Sequence, residues 1–261
     1  MPYAFVSVTD TGRARSNNED AVLLDVEACL AVLADGMGGY NAGEVASQMA
    51  TQRVLDEVGG WLRAQPDMPT IAEVRRALED GVDKANREIF NMANTNPHCA
   101  GMGTTLVVAS FRPGQLLVGH VGDSRAYRLR GGRLRQLTKD HSLLQEQIDA
   151  GLITPEQALY ATHKNLVTRA VGVEDTVLLE ITLHDVQAGD VIMLCSDGLS
   201  DMLNDNEIEF LVAGQPNLDH AAAALVAAAN QAGGRDNISV ILARHDGSTP
   251  PGAKTWWPFK R

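Results

Sequence analysis

The sequence predicts an α+β fold. Short apolar runs such as residues 30–34 and 191–195 read as buried strands. Longer segments, above all residues 74–93, repeat their apolar residues at helical spacing. Strand-like and helix-like segments also fall in blocks rather than in strict alternation, which argues against a doubly wound parallel sheet.

Taken in order, residues 3–10 and 20–34 carry Val, Leu and Phe in strand-like runs. Residues 43–64 read as a helix with Val45, Met49, Leu55, Val58 and Leu62 on one side, ended by Pro66 and Pro69. Thr70-Ile71-Ala72-Glu73 is a capping box, in which the Thr hydroxyl and the Glu carboxylate each satisfy a free backbone N–H. It opens a second helix with the apolar face Val74, Leu78, Val82, Ala85, Ile89 and Ala93. Residues 104–111 and 115–121 predict a hairpin, and Asp123 falls in the turn before a strand at 125–129. Residues 138–168 hold two short capped helices around Gly151 and read as a flap. Strands are expected at 177–183, 191–195 and 238–243, and an Ala-rich helix over 220–232 with Asp219 as its cap.

Composition narrows the function. The chain has 261 residues, 44% hydrophobic and 21% charged, with a net charge of −11. A general nucleic-acid binder needs a basic face, so that class is disfavoured. An acidic chain also repels phosphates, so handling them requires bound cations. Cys29, Cys99 and Cys195 form no CxxC pair and are too few for a disulfide framework, so Cys29 and Cys195 read as small core residues. The start lacks a basic segment followed by an apolar one, and no stretch is long enough to span a membrane. The expectation is a reduced, cytoplasmic, soluble protein. From Ser248 onward three prolines and two of the chain's three tryptophans define a tail, so the division is 1–246 as a domain and 247–261 as a tail.

The chemistry rests on aspartates. Asp35-Gly36 and Asp197-Gly198 each end an apolar run, the glycine read as permitting a sharp turn. Asp20, Asp123 and Asp236 also flank predicted strands, and Asp201 follows Asp197 by four residues, one helical turn on. Taken singly, each is an ordinary turn residue. Turns do not require the same acid at so many strand ends, however. A carboxylate set without His or Cys ligands suits Mg²⁺ or Mn²⁺. Two such ions can activate a bridging water and clamp the oxygens of a phosphoryl displacement. Arg13 or Arg15, just before Asp20, offers a guanidinium fork for phosphate.

These residues also carry a resemblance. The segments Arg15-Ser16-Asn17-Asn18-Glu19-Asp20, Ala34-Asp35-Gly36-Met37-Gly38-Gly39, Gly101-Met102-Gly103-Thr104-Thr105, His120-Val121-Gly122-Asp123-Ser124-Arg125, Lys139-Asp140-His141-Ser142, Cys195-Ser196-Asp197-Gly198-Leu199 and Gly233-Gly234-Arg235-Asp236-Asn237 together resemble the bacterial branch of the metal-dependent Ser/Thr protein phosphatases, the type 2C or PPM family. They occur in the family's order over about residues 7–245. The resemblance implies a four-layer α/β/β/α sandwich, two antiparallel sheets flanked by helix pairs. It implies that Asp20, Asp35, Asp197 and Asp236 hold two ions, Mn²⁺ or Mg²⁺, with the Gly36 carbonyl as a further oxygen and Glu19 acting through water. Asp123 and Asp201 match a third, weaker site shared with Asp197. Arg15, five residues before Asp20, matches the phosphate-binding arginine. Residues 142–165 match the flap beside the site. Arg15, Asp35 and Asp197 are then the catalytic set.

The implied function is hydrolysis of phosphoserine and phosphothreonine by a metal-activated hydroxide, opposing a bacterial Ser/Thr kinase. Met37 stands where animal members carry a histidine proposed as general acid, so the proton must come from elsewhere: water on the third ion, or His141. Two other readings are a catalytically silent phosphoprotein-binding module and a phosphohydrolase of small phosphates. The tail, with Trp256, Trp257 and Phe259 beside Lys254, Lys260 and Arg261, reads as a docking segment for a partner or membrane surface.

Overall fold

A computed structural model describes residues 3–38, 42–158 and 166–246. Its strands are β1 (Tyr3–Asp10), β2 (Asp20–Asp25), β3 (Leu30–Met37), β4 (Gly103–Thr104), β5 (Leu106–Arg112), β6 (Gln115–Val121), β7 (Arg125–Arg130), β8 (Arg133–Gln136), β9 (Glu180–Asp185), β10 (Val191–Cys195) and β11 (Ile238–His245). They form one sheet in the order β1-β11-β10-β7-β8 and another in the order β2-β3-β5-β6-β9, with β4 paired to β3. Neighbours pair antiparallel throughout. The helices are α1 (Ala42–Val54), α2 (Gly60–Ala64), α3 (Ile71–Thr95), α4 (Leu143–Asp149), α5 (Pro155–Ala158), α6 (Asp197–Ser200), α7 (Asp205–Ala213) and α8 (Leu218–Gln231).

Side-chain alternation builds the layers. Along β3, Leu30, Val32 and Ala34 join a core with α1 and α3, whereas Ala31 and Leu33 face the other sheet. Along β10, Val191, Met193 and Cys195 join a core with α7 and α8, whereas Ile192 and Leu194 face the seam. Both faces of these central strands are buried, so their sequences read as unbroken apolar runs rather than as alternation. Each large seam residue, such as fully buried Leu33, contributes roughly 1.5–3 kcal/mol by leaving water. The result is the four-layer α/β/β/α sandwich of two antiparallel sheets flanked by helix pairs.

Most expected elements are present, with differences that have physical causes. The 43–64 helix is continuous but contains one wider π turn at Leu55–Gly59. The α3 capping box forms as read. The cap of α8 is Asn217, whose side chain accepts from the His220 N–H; Asp219 lies in the first turn instead. The structure adds α7, which Asn204 and Glu207 open with a reciprocal capping box. Cys29 is only half-buried: it packs against the edge of the seam core from the β2–β3 turn, at φ +52°. Cys195 is fully buried, as expected. The flap starts as two short helices, α4 and α5; residues 159–165 and the tail lie outside the described residues. No helix among the described residues is long and apolar enough to cross a membrane.

Candidate metal centre

The site opens at one end of the seam between the two sheets. Asp20 begins β2 and Asp35 lies near the end of β3, and the register sets them directly opposite each other. Asp35 follows Ala31 and Leu33 in the alternation, so this pair belongs to the seam face. Across the seam, β10 delivers Asp197 at the first position of α6, and Asp236 lies two residues before β11. The turn linking β6 to β7 adds Asp123. Asp201 closes α6, its N–H donating to the Asp197 carbonyl at 2.7 Å.

The two Asp-Gly glycines work differently from the expectation. Neither Gly36 nor Gly198 has positive φ. A Cβ at Gly36 would strike the Gly43 carbonyl at the start of α1, and one at Gly198 would strike the Asn237 carbonyl. These glycines permit close approach of backbone to backbone rather than a turn. That approach brings both aspartates near the same point.

A cleft of about 400 Å³ is lined by Arg15, Glu19, Asp35, Gly36, Asp123, Asp197 and Asp236, with Met37, Thr105, Leu166, Val167 and Asn237 completing its wall. Asp20 is buried beneath it. Arg15 stands at the rim, half-exposed, and donates to Asp236 Oδ2 at 2.6 Å. That hydrogen bond holds the guanidinium above its ordinary pKa.

The electrostatics call for a cation. Burial, then neighbouring Asp20 and Asp197, push the Asp35 carboxyl well above its ordinary range. Asp197 is raised likewise by burial and by Asp123, Asp201 and Asp236. Burial raises Asp20 and Asp123 to about 6 each, with Asp236 adding to the first and Asp140 and Asp201 to the second. Like charges set opposite each other in a low-dielectric seam are destabilising without a counter-charge. Asp20 Oδ1 is buried with no hydrogen-bond partner among the described residues. An oxygen-only set holding an unsatisfied buried carboxylate oxygen fits a hard divalent cation.

Several supporting residues carried no role in the sequence reading. Ser196 donates to Asp20 Oδ2 at 2.8 Å. Thr105 accepts from the Asp35 N–H at 3.0 Å and shares a 2.7 Å bond with Ser124. Asn237 accepts from the Glu19 N–H and donates to the carbonyls of Thr11 and Asn17. Small hydroxyls and amides carry no charge pattern, so only adjacency to Asp197, Asp123 and Asp236 marks Ser196, Ser124 and Asn237, and no neighbouring acid marks Thr105. His141 is absent from the cleft wall; it is buried and turned toward His120 and Glu180. The structure thus places His141 behind the Asp123 turn rather than on the cleft lining.

A four-layer sandwich with an oxygen-only carboxylate centre across its seam is the frame of a metal-dependent phosphatase. A family model described as Protein phosphatase 2C matches residues 11–242, and the chain belongs to that family. It is 38% identical over 241 residues to the serine/threonine phosphatase stp of Listeria monocytogenes, covering 91% of this chain and 94% of that protein. The crystal structure of the Mycobacterium tuberculosis serine/threonine phosphatase PstP/Ppp matches with a TM-score of 0.82 and 37% identity, over 93% of this chain and 98% of that one. A crystal structure of the PstP catalytic domain in complex with two manganese ions matches with a TM-score of 0.80 and 37% identity, over 93% and 97% of the two chains.

Proposed function

We propose that this chain hydrolyses phosphoserine and phosphothreonine in proteins. The observation that carries this reading is the convergence of Asp20, Asp35, Asp123, Asp197 and Asp236 from two sheets around one cleft, with Arg15 at its rim. Asp20, Asp35, Asp197 and Asp236 would hold two ions, Mn²⁺ or Mg²⁺, with the Gly36 carbonyl and, through water, Glu19. Asp123 and Asp201 would serve a third with Asp197. Bound ions supply charge neutralisation and a nucleophilic water at neutral pH. Arg15 receives the phosphate oxygens and offsets charge developing there. Its 2.6 Å hydrogen bond to Asp236, one of the proposed ligands, supports this role. Met37 at the cleft wall has no proton to give, which leaves solvent near Asp123 and Asp201 to protonate the departing alkoxide.

The test is hydrolysis of a phosphothreonine peptide with and without Mn²⁺ or Mg²⁺. The expected result is strict dependence on the added ion. Asp236→Asn should lower both kcat and ion affinity by more than the ~10–100-fold that loss of an outer-layer partner costs. Full activity in excess chelator would refute the reading.

The same reading extends to the setting. The catalytic unit is residues 1–246, the enzyme works in the cytoplasm against a Ser/Thr kinase, and 247–261 docks a partner or membrane surface. Deleting 248–261 should leave peptide hydrolysis unchanged and weaken capture by that surface. A marked fall in Tm would instead assign the tail to the fold.

A further inference from the structure

The Asp123 turn is held from behind by a network that the proposed chemistry does not use. His120, at the end of β6, is buried, and its Nε2 lies 2.7 Å from the Lys139 carbonyl. A carbonyl only accepts, so Nε2 carries the proton. The His141 ring stacks on His120 with centroids 4.6 Å apart and an interplanar angle of 15°. His141 Nδ1 accepts the Gly122 N–H at 3.2 Å, which places the proton of the neutral ring on Nε2, facing Glu180 Oε2 at 3.2 Å. Glu180 is in turn the cross-strand neighbour of His120.

His120, His141 and Glu180 have the spacing of a cation site. The tautomer argues against one. Coordination through His141 Nε2 would move the proton to Nδ1, where it would meet the Gly122 N–H head-on. The trio therefore acts as a latch. His141 grips Gly122 twice, since its own N–H also donates to the Gly122 carbonyl at 2.9 Å. Gly122 has φ +102°, and a Cβ there would press on Thr105, so this turn has one conformation to be held in. On its other side the His141 carbonyl accepts the Thr168 N–H at 2.8 Å, and Ser142 bridges Val167, which closes the base of the flap.

We infer that His141 is a positioning residue that fixes the turn carrying Asp123 to the base of the flap. It acts through Gly122 and touches no reacting atom. The inference rests on the reading of Asp123 as an ion ligand.

The experiment compares His141→Asn, His141→Gln and His141→Ala in the full chain. Asn can keep an acceptor near the Nδ1 position, whereas Gln reaches toward Glu180 and Ala does neither. The readouts are Gly122 amide hydrogen exchange, Mn²⁺ binding followed by electron paramagnetic resonance, and kcat separated from KM. Gln and Ala should speed Gly122 exchange at least ~10-fold and weaken the loosest class of bound Mn²⁺ about 10-fold. Tightly bound Mn²⁺ should be unchanged, and kcat should fall ~10–100-fold with little change in KM. Asn should restore exchange and loose-ion binding to within about 3-fold of the parent. Equal losses in all three variants, or none in any, would overturn the inference. Should Ala fail to fold, the Asn–Gln contrast decides alone. If the parent binds only two ions, the reading of Asp123 as a ligand fails, and Gly122 exchange still reports separately whether the latch exists.

Discussion

Arg15 and Asp236 share one hydrogen bond across 221 residues of sequence. A guanidinium bound to a phosphate oxygen gives a charge-assisted interaction of about 1.5–3 kcal/mol. Arg15→Ala should therefore lower kcat/KM for a phosphopeptide by roughly 10–100-fold. Arg15→Lys should recover only part of it, because an ammonium lacks the planar fork. Steady-state kinetics at saturating Mn²⁺ checks both. The acidic residues were legible in the sequence because each sits at a recognisable boundary and their number exceeds what turns require. Asn237, Ser196 and Thr105 were not assigned roles, because their work is to satisfy backbone and carboxylate groups that meet only after folding. His141 was legible as a titratable side chain but not as a latch, since its partners, Gly122 and Glu180, are set by strand register rather than by sequence distance.

Local signals sufficed for most elements where a cap or a fully buried run marked them. The α3 capping box and the β5–β6 hairpin follow from side-chain chemistry within a few residues. The α8 start did not, because Asn217 and Asp219 are both competent caps and only φ and the acceptor geometry choose between them. Asn217 has extended backbone (φ −151°, ψ 172°) and bonds the His220 N–H, as an N-cap must. Asn217→Ala should cost about 1 kcal/mol. Asp219→Ala should cost only the ~0.3–1 kcal/mol of a first-turn acid beside the helix dipole. Urea denaturation of the two variants distinguishes them. The role of Gly36 and Gly198 was likewise hidden: a glycine after an aspartate reads as a turn, whereas here it lets two elements touch.

For the whole molecule, the carboxylate cluster couples stability to pH and to ions. Asp20 and Asp123 titrate near 6 in the folded chain, and Asp35 and Asp197 are raised well above the ordinary carboxylate value. The folded state then binds more protons than the unfolded one between the ordinary value near 4 and those raised values. In the ion-free chain the carboxylate cluster should accordingly add stability as pH falls from 8 through about 6, opposed by His141 and His184, whose burial lowers their pKa. Mn²⁺ at 100 times its Kd should add about 2.7 kcal/mol at pH 8, a shift of roughly 5–10 °C in Tm. That increment should shrink toward pH 6 as protons compete for the same oxygens. Scanning calorimetry with and without Mn²⁺ across this range gives the answer, and a Mn²⁺ increment independent of pH would contradict it.

The seam position of the centre has a consequence for how the molecule comes together. One sheet brings Asp20 and Asp35, the other brings Asp197 and Asp236, and neither holds a full set of oxygens alone. Their mutual repulsion resists docking, and only a sandwich closed in the right alignment offers an ion enough ligands to offset it. On the proposed ligand assignment, ion capture would act as a form of quality control: a chain whose two halves are mis-seated should bind no ion and show no activity.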